Sequence, residues 1–178
     1  MTVTTAAYYF EDIEPGLVVE HRRGHSVCTA DNQLLSLLTM NTAQTHFNRD
    51  SLSSYMDGAF PEPLLNACVA LALAVGLTTD DLSANALADL GYAEFRMPAP
   101  VFVGDSLYAA SEVVEVADVP DRADAGGVTY RITARCGDTT VLTVRRHVLI
   151  KRRSHWLARD EEFLRAVHAA GTALLGRG

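Results

Sequence analysis

The sequence lacks the cysteine pattern of a disulfide-bonded or zinc-binding protein. Its three cysteines, Cys28, Cys68 and Cys136, lie far apart in a chain of 178 residues. They therefore form neither a disulfide framework nor a zinc-ligand set. We interpret them as small apolar residues in a reducing compartment, and we expect no metal site and no resident cofactor.

Long hydrophobic runs are also absent. The longest apolar stretch, residues 64–77, is shorter than the roughly 18 residues that cross a bilayer, and it contains Asn66. Residues 1–9 lack the basic start and apolar core of a secretory signal. We therefore expect a soluble cytoplasmic protein with no membrane partner.

Positive charge is scarce compared with negative charge. The chain has 15 Lys and Arg against 22 Asp and Glu, a formal net charge of −7, which argues against general nucleic-acid binding. An anionic small molecule is still compatible with this balance, because one local basic cluster is sufficient. We weigh a phosphate-contacting role against an ordinary solvated strand end for Arg145, Arg146, Lys151, Arg152 and Arg153.

Hydrophobic residues make up 48% of the chain, enough for the core of one domain. The first part predicts a strand at Leu17–Val27 and a helix at Ala30–Met40, with Thr29 as its N-cap. Residues 41–63 show no regular pattern, and connections of this length usually carry a site. The stretch at 64–77, LLNACVALALAVGL, predicts a helix that is buried on all sides because it lacks a polar stripe.

The remainder of the chain alternates in polarity and predicts β-strands. Period-two alternation marks residues 130–136 and 142–150, and residues 93–102 and 107–116 supply two further strands. Residues 159–175 predict a terminal amphipathic helix. A curved antiparallel sheet provides the surface that a fully apolar helix needs. The expected fold class is therefore α+β, a hotdog fold with a curved antiparallel sheet wrapped around a long buried central helix.

Three segments carry a more specific pattern. Residues 29–48 read TADNQLLSLLTMNTAQTHFN, residues 63–72 read PLLNACVALA, and residues 96–108 read RMPAPVFVGDSLY. Together they resemble the MaoC-like dehydratase and (R)-specific enoyl-CoA hydratase family. The resemblance covers about residues 8–152 and is greatest to the branch that acts on mesaconyl- and methylmalyl-type acyl-CoA.

The resemblance implies an organisation and a partner. We expect a single domain over residues 1–178, with its core at about 8–152 and a helical extension at 155–178. The implied substrate is a small-molecule acyl thioester on CoA or on an acyl carrier protein. The implied assembly is a homodimer whose sheets join edge to edge, or a larger assembly of dimers.

The resemblance also implies catalytic residues in the loop after the first helix. The family has an Asp five residues before a catalytic His; here His46 matches the His, but Asn41 stands in the place of the Asp. An imidazole titrates near neutrality, so His46 can serve as acid and base. An amide accepts no proton at ordinary pH, so Asn41 is expected to orient water. A helix C-cap is the other interpretation of Asn41, and Asp50 or Asp57 could supply the missing carboxylate.

Enolate charge on the thioester oxygen requires hydrogen-bond donors. The N-terminus of the apolar helix offers unpaired N–H groups and the positive end of the helix dipole. The resemblance points to the backbone of Ala67 and Cys68, directly after Asn66; an ordinary capped first turn is the alternative. Candidate contacts for a substrate carboxylate or phosphate are Arg96, Arg145 and Arg146.

Three functions follow from these residues. The first is a lyase that reversibly hydrates or dehydrates an enoyl or 3-hydroxyacyl thioester. The second is a thioesterase, although residues 64–77 contain no Asp or Glu to support hydrolysis. The third is a non-catalytic acyl-thioester-binding protein, because Asn41 replaces the family's Asp.

Overall fold

The computed structural model describes residues 7–175, without the side chains of residues 55, 56 and 171–175. The two ends of the predicted domain, residues 1–6 and 176–178, lie outside the described residues. The strands are β1 (Val18–Ser26), β2 (Ala86–Arg96), β3 (Ser106–Asp118), β4 (Ala125–Cys136) and β5 (Thr139–Lys151), and the helices are α1 (Thr29–Leu38), α2 (Ala67–Gly76) and α3 (Arg153–Leu175).

All five strands form one antiparallel sheet in the order β1-β3-β4-β5-β2. The alternation that predicted β4 is confirmed, because Tyr130, Ile132 and Ala134 are buried in the core. The turn between β4 and β5 contains Gly137 at φ 55°, a backbone conformation that glycine adopts without strain. Residues of α2 complete the core on one face of this sheet, so the predicted α+β hotdog fold is confirmed.

Strand β2 lies earlier in the chain than predicted, at Ala86–Arg96 rather than at residues 93–102. Pro98 and Pro100 follow its end, and proline has no N–H to donate to a sheet. The segment after β2 therefore leaves the sheet and runs past the start of α2, where the Val101 carbonyl accepts a hydrogen bond from Leu65 N at 2.8 Å.

Helix α2 is shorter than the predicted helix and is not buried on all sides. It begins at Ala67, because the side chain of Asn66 caps it and accepts a hydrogen bond from Cys68 N at 3.0 Å. Leu64, expected in the helix, instead forms an isolated bridge with Phe102. Val69, Ala70 and Ala74 face the core. The exposed side of α2 carries Ala67, Cys68, Ala72 and Gly76.

Helix α1 begins one residue earlier than predicted, and its N-cap is Cys28 rather than Thr29. The Asp31 carboxylate accepts a hydrogen bond from Cys28 N at 2.8 Å, and this bond holds the pKa of Asp31 below its ordinary value. The buried residues of α1 are polar, Asn32 and Ser36. Leu35 packs partly against the core, whereas Leu34, Leu37 and Leu38 are 57–69% exposed.

Helix α3 begins at Arg153, six residues before the predicted start. Trp156 Nε1 donates to the carbonyl of Asp124 at 3.0 Å, which links the first turn of α3 to the residue before β4. The predicted apolar face is not packed, because Phe163, Leu164 and Val167 are more than half exposed. None of the helices in residues 7–175 has the length and apolar character needed to cross a bilayer.

Candidate active site

A cleft of about 550 Å³ opens where the loop after α1 meets the N-terminus of α2. It contains both predicted catalytic residues and all three residues predicted at the helix N-terminus. Its remaining wall is apolar and comes from the loop and from the segment after β2. The lining residues are Asn41, His46, Phe60, Leu64, Leu65, Asn66, Ala67, Cys68 and residues 97–101.

The imidazole of His46 is held in one orientation. Its Nδ1 lies 2.8 Å from the carbonyl oxygen of Leu64. A carbonyl can only accept, so Nδ1 carries the proton when the ring is neutral. Nε2 is then the nitrogen with a free lone pair, and His46 lines the cleft. This tautomer suits a general base.

Asn41 is not the C-cap residue of α1, which is Thr39, but its backbone helps to close the helix. Met40 follows the C-cap at φ 57°, and the N–H of Asn41 then bonds to a carbonyl of the last helical turn. The Asn41 Oδ1 accepts a hydrogen bond from Ala43 N at 3.1 Å, and its own N–H donates to the Ser36 carbonyl at 2.9 Å. Since Oδ1 is engaged by the backbone, Nδ2 is the end of the amide that can donate to a water molecule.

The two backbone donors predicted at the start of α2, Ala67 and Cys68, differ in whether their N–H groups are already hydrogen-bonded. Cys68 N already donates to Asn66 Oδ1, so the expectation that Cys68 offers a free donor is not supported. Ala67 is the first helical residue, a position whose N–H has no partner within a helix, and it is exposed to the cleft. The backbone N–H of Ala67 is therefore the better candidate for the thioester oxygen.

Asp50 and Asp57 are exposed in the loop, and neither lines the cleft. The structure does not bring either carboxylate to His46. Asn32 and Ser36 on α1 also contact residues of the site, and the sequence did not lead us to predict them. The available signal was their spacing: two polar residues four positions apart share one face of a helix.

The basic cluster at 145–153 is not a free positive surface. Each of its members lies in an ion pair with a carboxylate from elsewhere in the chain, so the expectation of a phosphate-contacting patch is not supported. The pairs are Arg145–Glu94, Arg146–Asp89, Lys151–Asp160, Arg152–Asp118 and Arg153–Asp12. Arg96, by contrast, is exposed at the end of β2 and immediately precedes the cleft wall at Met97.

Arg146 is a structural residue in this arrangement. It is 5% exposed, and its guanidinium donates to Asp89 at 2.6 and 3.0 Å and to Ser83 Oγ at 2.6 Å. The hydrogen bond from Arg146 holds the pKa of Asp89 below its ordinary value. The pair therefore contributes stability above the ordinary Asp pKa of about 4, and this contribution is lost as the pH falls through the lowered value.

We expect Arg146→Met to destabilise the fold without weakening substrate binding. The loss should be on the order of 2 kcal/mol, because buried hydroxyls lose a charged donor while Asp89 can turn to solvent. Urea denaturation at pH 7 and at pH 3 measures it, with a smaller difference at pH 3. A raised KM with unchanged stability would restore Arg146 as a substrate contact.

A serine, a histidine and an aspartate, the residue types of a hydrolase triad, also lie in hydrogen-bond contact elsewhere in the structure. His21 lies between Asp81 and Ser111, with Nδ1 2.8 Å from Asp81 Oδ2 and Nε2 2.9 Å from Ser111 Oγ. Ser111 is only 1% exposed, so no thioester carbonyl can reach its oxygen. The contacts satisfy the buried polar groups of His21 on β1 and Ser111 on β3, and they do not support hydrolysis.

A larger cleft, of about 870 Å³, lies between residues 7–12 and α3. Its charged side chains are already engaged, as Lys151 Nζ donates to Asp160 at 2.6 Å and Tyr9 OH donates to the same carboxylate at 2.9 Å. We regard the smaller cleft as the site, because it combines an oriented imidazole with a helix N-terminus. Within residues 7–175 there is no group of three His, Cys, Asp or Glu side chains arranged for a metal ion.

Comparison with known proteins shows the family of this chain. A family model described as mesaconyl-CoA hydratase matches residues 2–164. A β-methylmalyl-CoA dehydratase of Chloroflexus aurantiacus is 32% identical over 127 residues, which cover 71% of this chain and 35% of that protein. A mesaconyl-CoA hydratase of Cereibacter sphaeroides is 31% identical over 156 residues, covering 84% of this chain and 43% of that protein.

A solved structure shows the same fold. A MaoC domain dehydratase from Chloroflexus aurantiacus is 27% identical, with a TM-score of 0.74 over 84% of this chain and 46% of that protein. The resemblance to MaoC-like dehydratases is thereby confirmed. The chain spans less than half the length of these three proteins.

Proposed function

Because the chain belongs to the mesaconyl-CoA hydratase family, we propose that it reversibly hydrates an enoyl thioester. The observation that carries this proposal is the geometry of His46. Its Nδ1 is bonded to the Leu64 carbonyl, which leaves Nε2 as a base in the cleft that also receives the first turn of α2. Both groups that the reaction needs, a proton carrier and an oxyanion donor, belong to one cleft.

The proposed chemistry uses only groups of this chain and a water molecule. His46 Nε2 takes a proton from water, and the water oxygen bonds to Cβ of the enoyl thioester. The electrons of the double bond move to the thioester oxygen, where the Ala67 N–H and the positive end of the α2 dipole stabilise the enolate. The imidazolium then returns its proton to Cα, so one water has been added. Asn41 Nδ2 donates to the water and orients it.

The cleft supports a small branched acyl group. Its wall contains Phe60, Leu65 and residues 97–101, which offer apolar surface to a methyl branch. The two relatives are named for mesaconyl-CoA and β-methylmalyl-CoA, whose acyl groups carry a second carboxylate. Arg96 is the candidate partner for that carboxylate. We propose CoA as the carrier, with an acyl carrier protein as the alternative, and no cofactor for the reaction.

A two-channel assay tests the proposed function. Purified protein is given crotonyl-CoA and mesaconyl-CoA, and both the enoyl-thioester absorbance and the free thiol are followed. Hydration removes the absorbance without releasing thiol, which is the result we expect. Release of thiol would mean hydrolysis. Binding of either ester without change in either signal would indicate a non-catalytic binding protein and would reject the hydratase proposal.

We further propose that two copies of the chain associate through β2. This strand lies at the edge of the sheet, and Leu90, Tyr92 and Phe95 on it are 41–59% exposed. An open edge with large apolar side chains is unfavourable in a monomer. The matched relatives are about twice as long as this chain, and a second copy would supply a comparable amount of structure.

We expect light scattering at micromolar concentration to give twice the mass of the chain. Leu90→Asp should give the monomer mass, because the buried charge would have no partner at the interface. Leu164→Asp on α3, an equally exposed leucine, is the matched control and should remain dimeric. A monomer mass for the unmodified chain would contradict the proposed assembly.

A further inference from the structure

The buried side of α1 is polar, which is unusual for a helix against a protein core. Asn32 is 1% exposed and Ser36 is fully buried, while Leu34, Leu37 and Leu38 of the same helix are more than half exposed. Burying an amide and a hydroxyl is unfavourable unless both are hydrogen-bonded. The bonds that these two side chains make therefore show what the helix holds in place.

The amide of Asn32 makes three hydrogen bonds, and all three are to the backbone of the active site. Its Nδ2 donates to the carbonyl of His46 and to the carbonyl of Leu64, both at 3.0 Å. Its Oδ1 accepts from the N–H of Asn66 at 3.1 Å. One side chain thus joins the loop that carries the imidazole, the strand-like segment before α2, and the N-cap of α2.

These contacts are to the immediate neighbours of both proposed catalytic groups, the imidazole of His46 and the backbone N–H of Ala67. The Leu64 carbonyl that Asn32 binds is the same oxygen that fixes His46 Nδ1. The residue whose N–H Asn32 binds is the N-cap that precedes Ala67. We propose that Asn32 is a positioning residue that sets the imidazole of His46 relative to the oxyanion donor at α2. This inference rests on the hydratase function proposed above.

Ser36, one turn later on α1, extends the same connection. Asn66 Nδ2 donates to Ser36 Oγ at 3.2 Å, and the Ser36 carbonyl accepts from Asn41 N. The helix therefore reaches the base, the capping residue and the water-orienting amide from one buried face. An amide at position 32 is required, because only an amide can donate two hydrogen bonds and accept a third in this geometry.

Two substitutions at position 32 separate its roles. Asn32→Asp keeps the acceptor for Asn66 N but donates to neither carbonyl, and Asn32→Leu removes all three bonds at similar size. We expect both to lower kcat by roughly 10²-fold with little change in KM, because displacement of a catalytic group by about 1 Å has this effect. Asn85→Leu is the matched control, since Asn85 is also buried and its Nδ2 donates to two carbonyls, of Ala7 and Tyr8, far from the cleft.

A spectroscopic measurement makes the inference independent of turnover. Nitrogen-15 NMR of the histidine side chains should show His46 in the Nδ1–H form in the unmodified chain. In Asn32→Leu the Nε2–H form should become populated, whereas in Asn85→Leu His46 should be unchanged. If the unmodified chain turns over no thioester, the hydratase proposal fails while the NMR comparison still decides the role of Asn32. Suppose that Asn32→Leu and Asn85→Leu lower the melting temperature equally and leave kcat and the His46 tautomer unchanged. Asn32 would then be a structural residue and not a positioning residue.

Discussion

His46→Ala should lower kcat/KM for hydration by about 10²–10⁴-fold, the usual contribution of one general acid–base group. The expectation follows from the cleft, where the imidazole of His46 lines the wall beside the start of α2. The fold should persist, because His46 is only partly buried and its ring makes one hydrogen bond, to the Leu64 carbonyl. Progress curves with mesaconyl-CoA and a thermal melt measure the two effects separately.

His155→Ala is the matched control for this experiment. His155 is exposed in the first turn of α3 and does not line the cleft, so its loss should leave turnover unchanged. Full turnover by His46→Ala with an authentic substrate would reject the site. The reaction would then have to be carried by Asp50, Asp57 or another part of the chain.

Asn41→Asp belongs to the same series. We expect it to preserve or raise hydration activity, because a carboxylate at position 41 can still accept the hydrogen bond from Ala43 N and adds a second proton acceptor beside the water. A loss as large as that of His46→Ala would mean that the reaction needs the amide as a donor. The chain would then use a chemistry different from the family's Asp and His.

The elements that could be predicted are those whose signal is local. Alternation identifies β4 and β5, and the apolar stretch at residues 64–77 identifies the central helix, because burial selects apolar residues at the buried positions. The His46 loop stands out for its length and for its resemblance to a known motif. Its position beside the helix N-terminus follows from the fold, since the loop leads directly into the helix.

What could not be predicted depends on partners that are distant in the sequence. Arg146 lies in a basic run, but its charge is neutralised by Asp89, 57 residues away. The polar face of α1 is buried because Asn32 and Ser36 bind the loop and Asn66, which is 34 and 30 residues further along. The pattern that predicts α1 does not show which of its faces is buried, because hydrophobic periodicity does not distinguish a protein interior from an exposed apolar surface.

Ala67→Pro should lower kcat by about 10²–10³-fold, the typical loss when one oxyanion donor is removed. Proline is well tolerated at the first position of a helix, where its fixed φ suits the helix and its missing N–H has no intrahelical partner. Asn66, the preceding residue, has φ −60° and ψ 132°, an extended conformation that is compatible with a following proline. The substitution therefore removes one N–H from the cleft while α2 and its cap at Asn66 are retained.

Ala67→Gly is the control, because it alters the side chain at the same position and keeps the N–H. We expect it to retain most of the activity, and both variants to melt close to the unmodified chain. Kinetics with mesaconyl-CoA should then show a loss of kcat in Ala67→Pro with little change in KM, since the enolate oxygen needs the donor more than the ground-state carbonyl does. Equal kcat values for the proline and glycine variants would show that the Ala67 N–H does not bind the developing charge. In that case the oxyanion donor would have to be sought among the other groups of the cleft, beginning with the Asn41 amide.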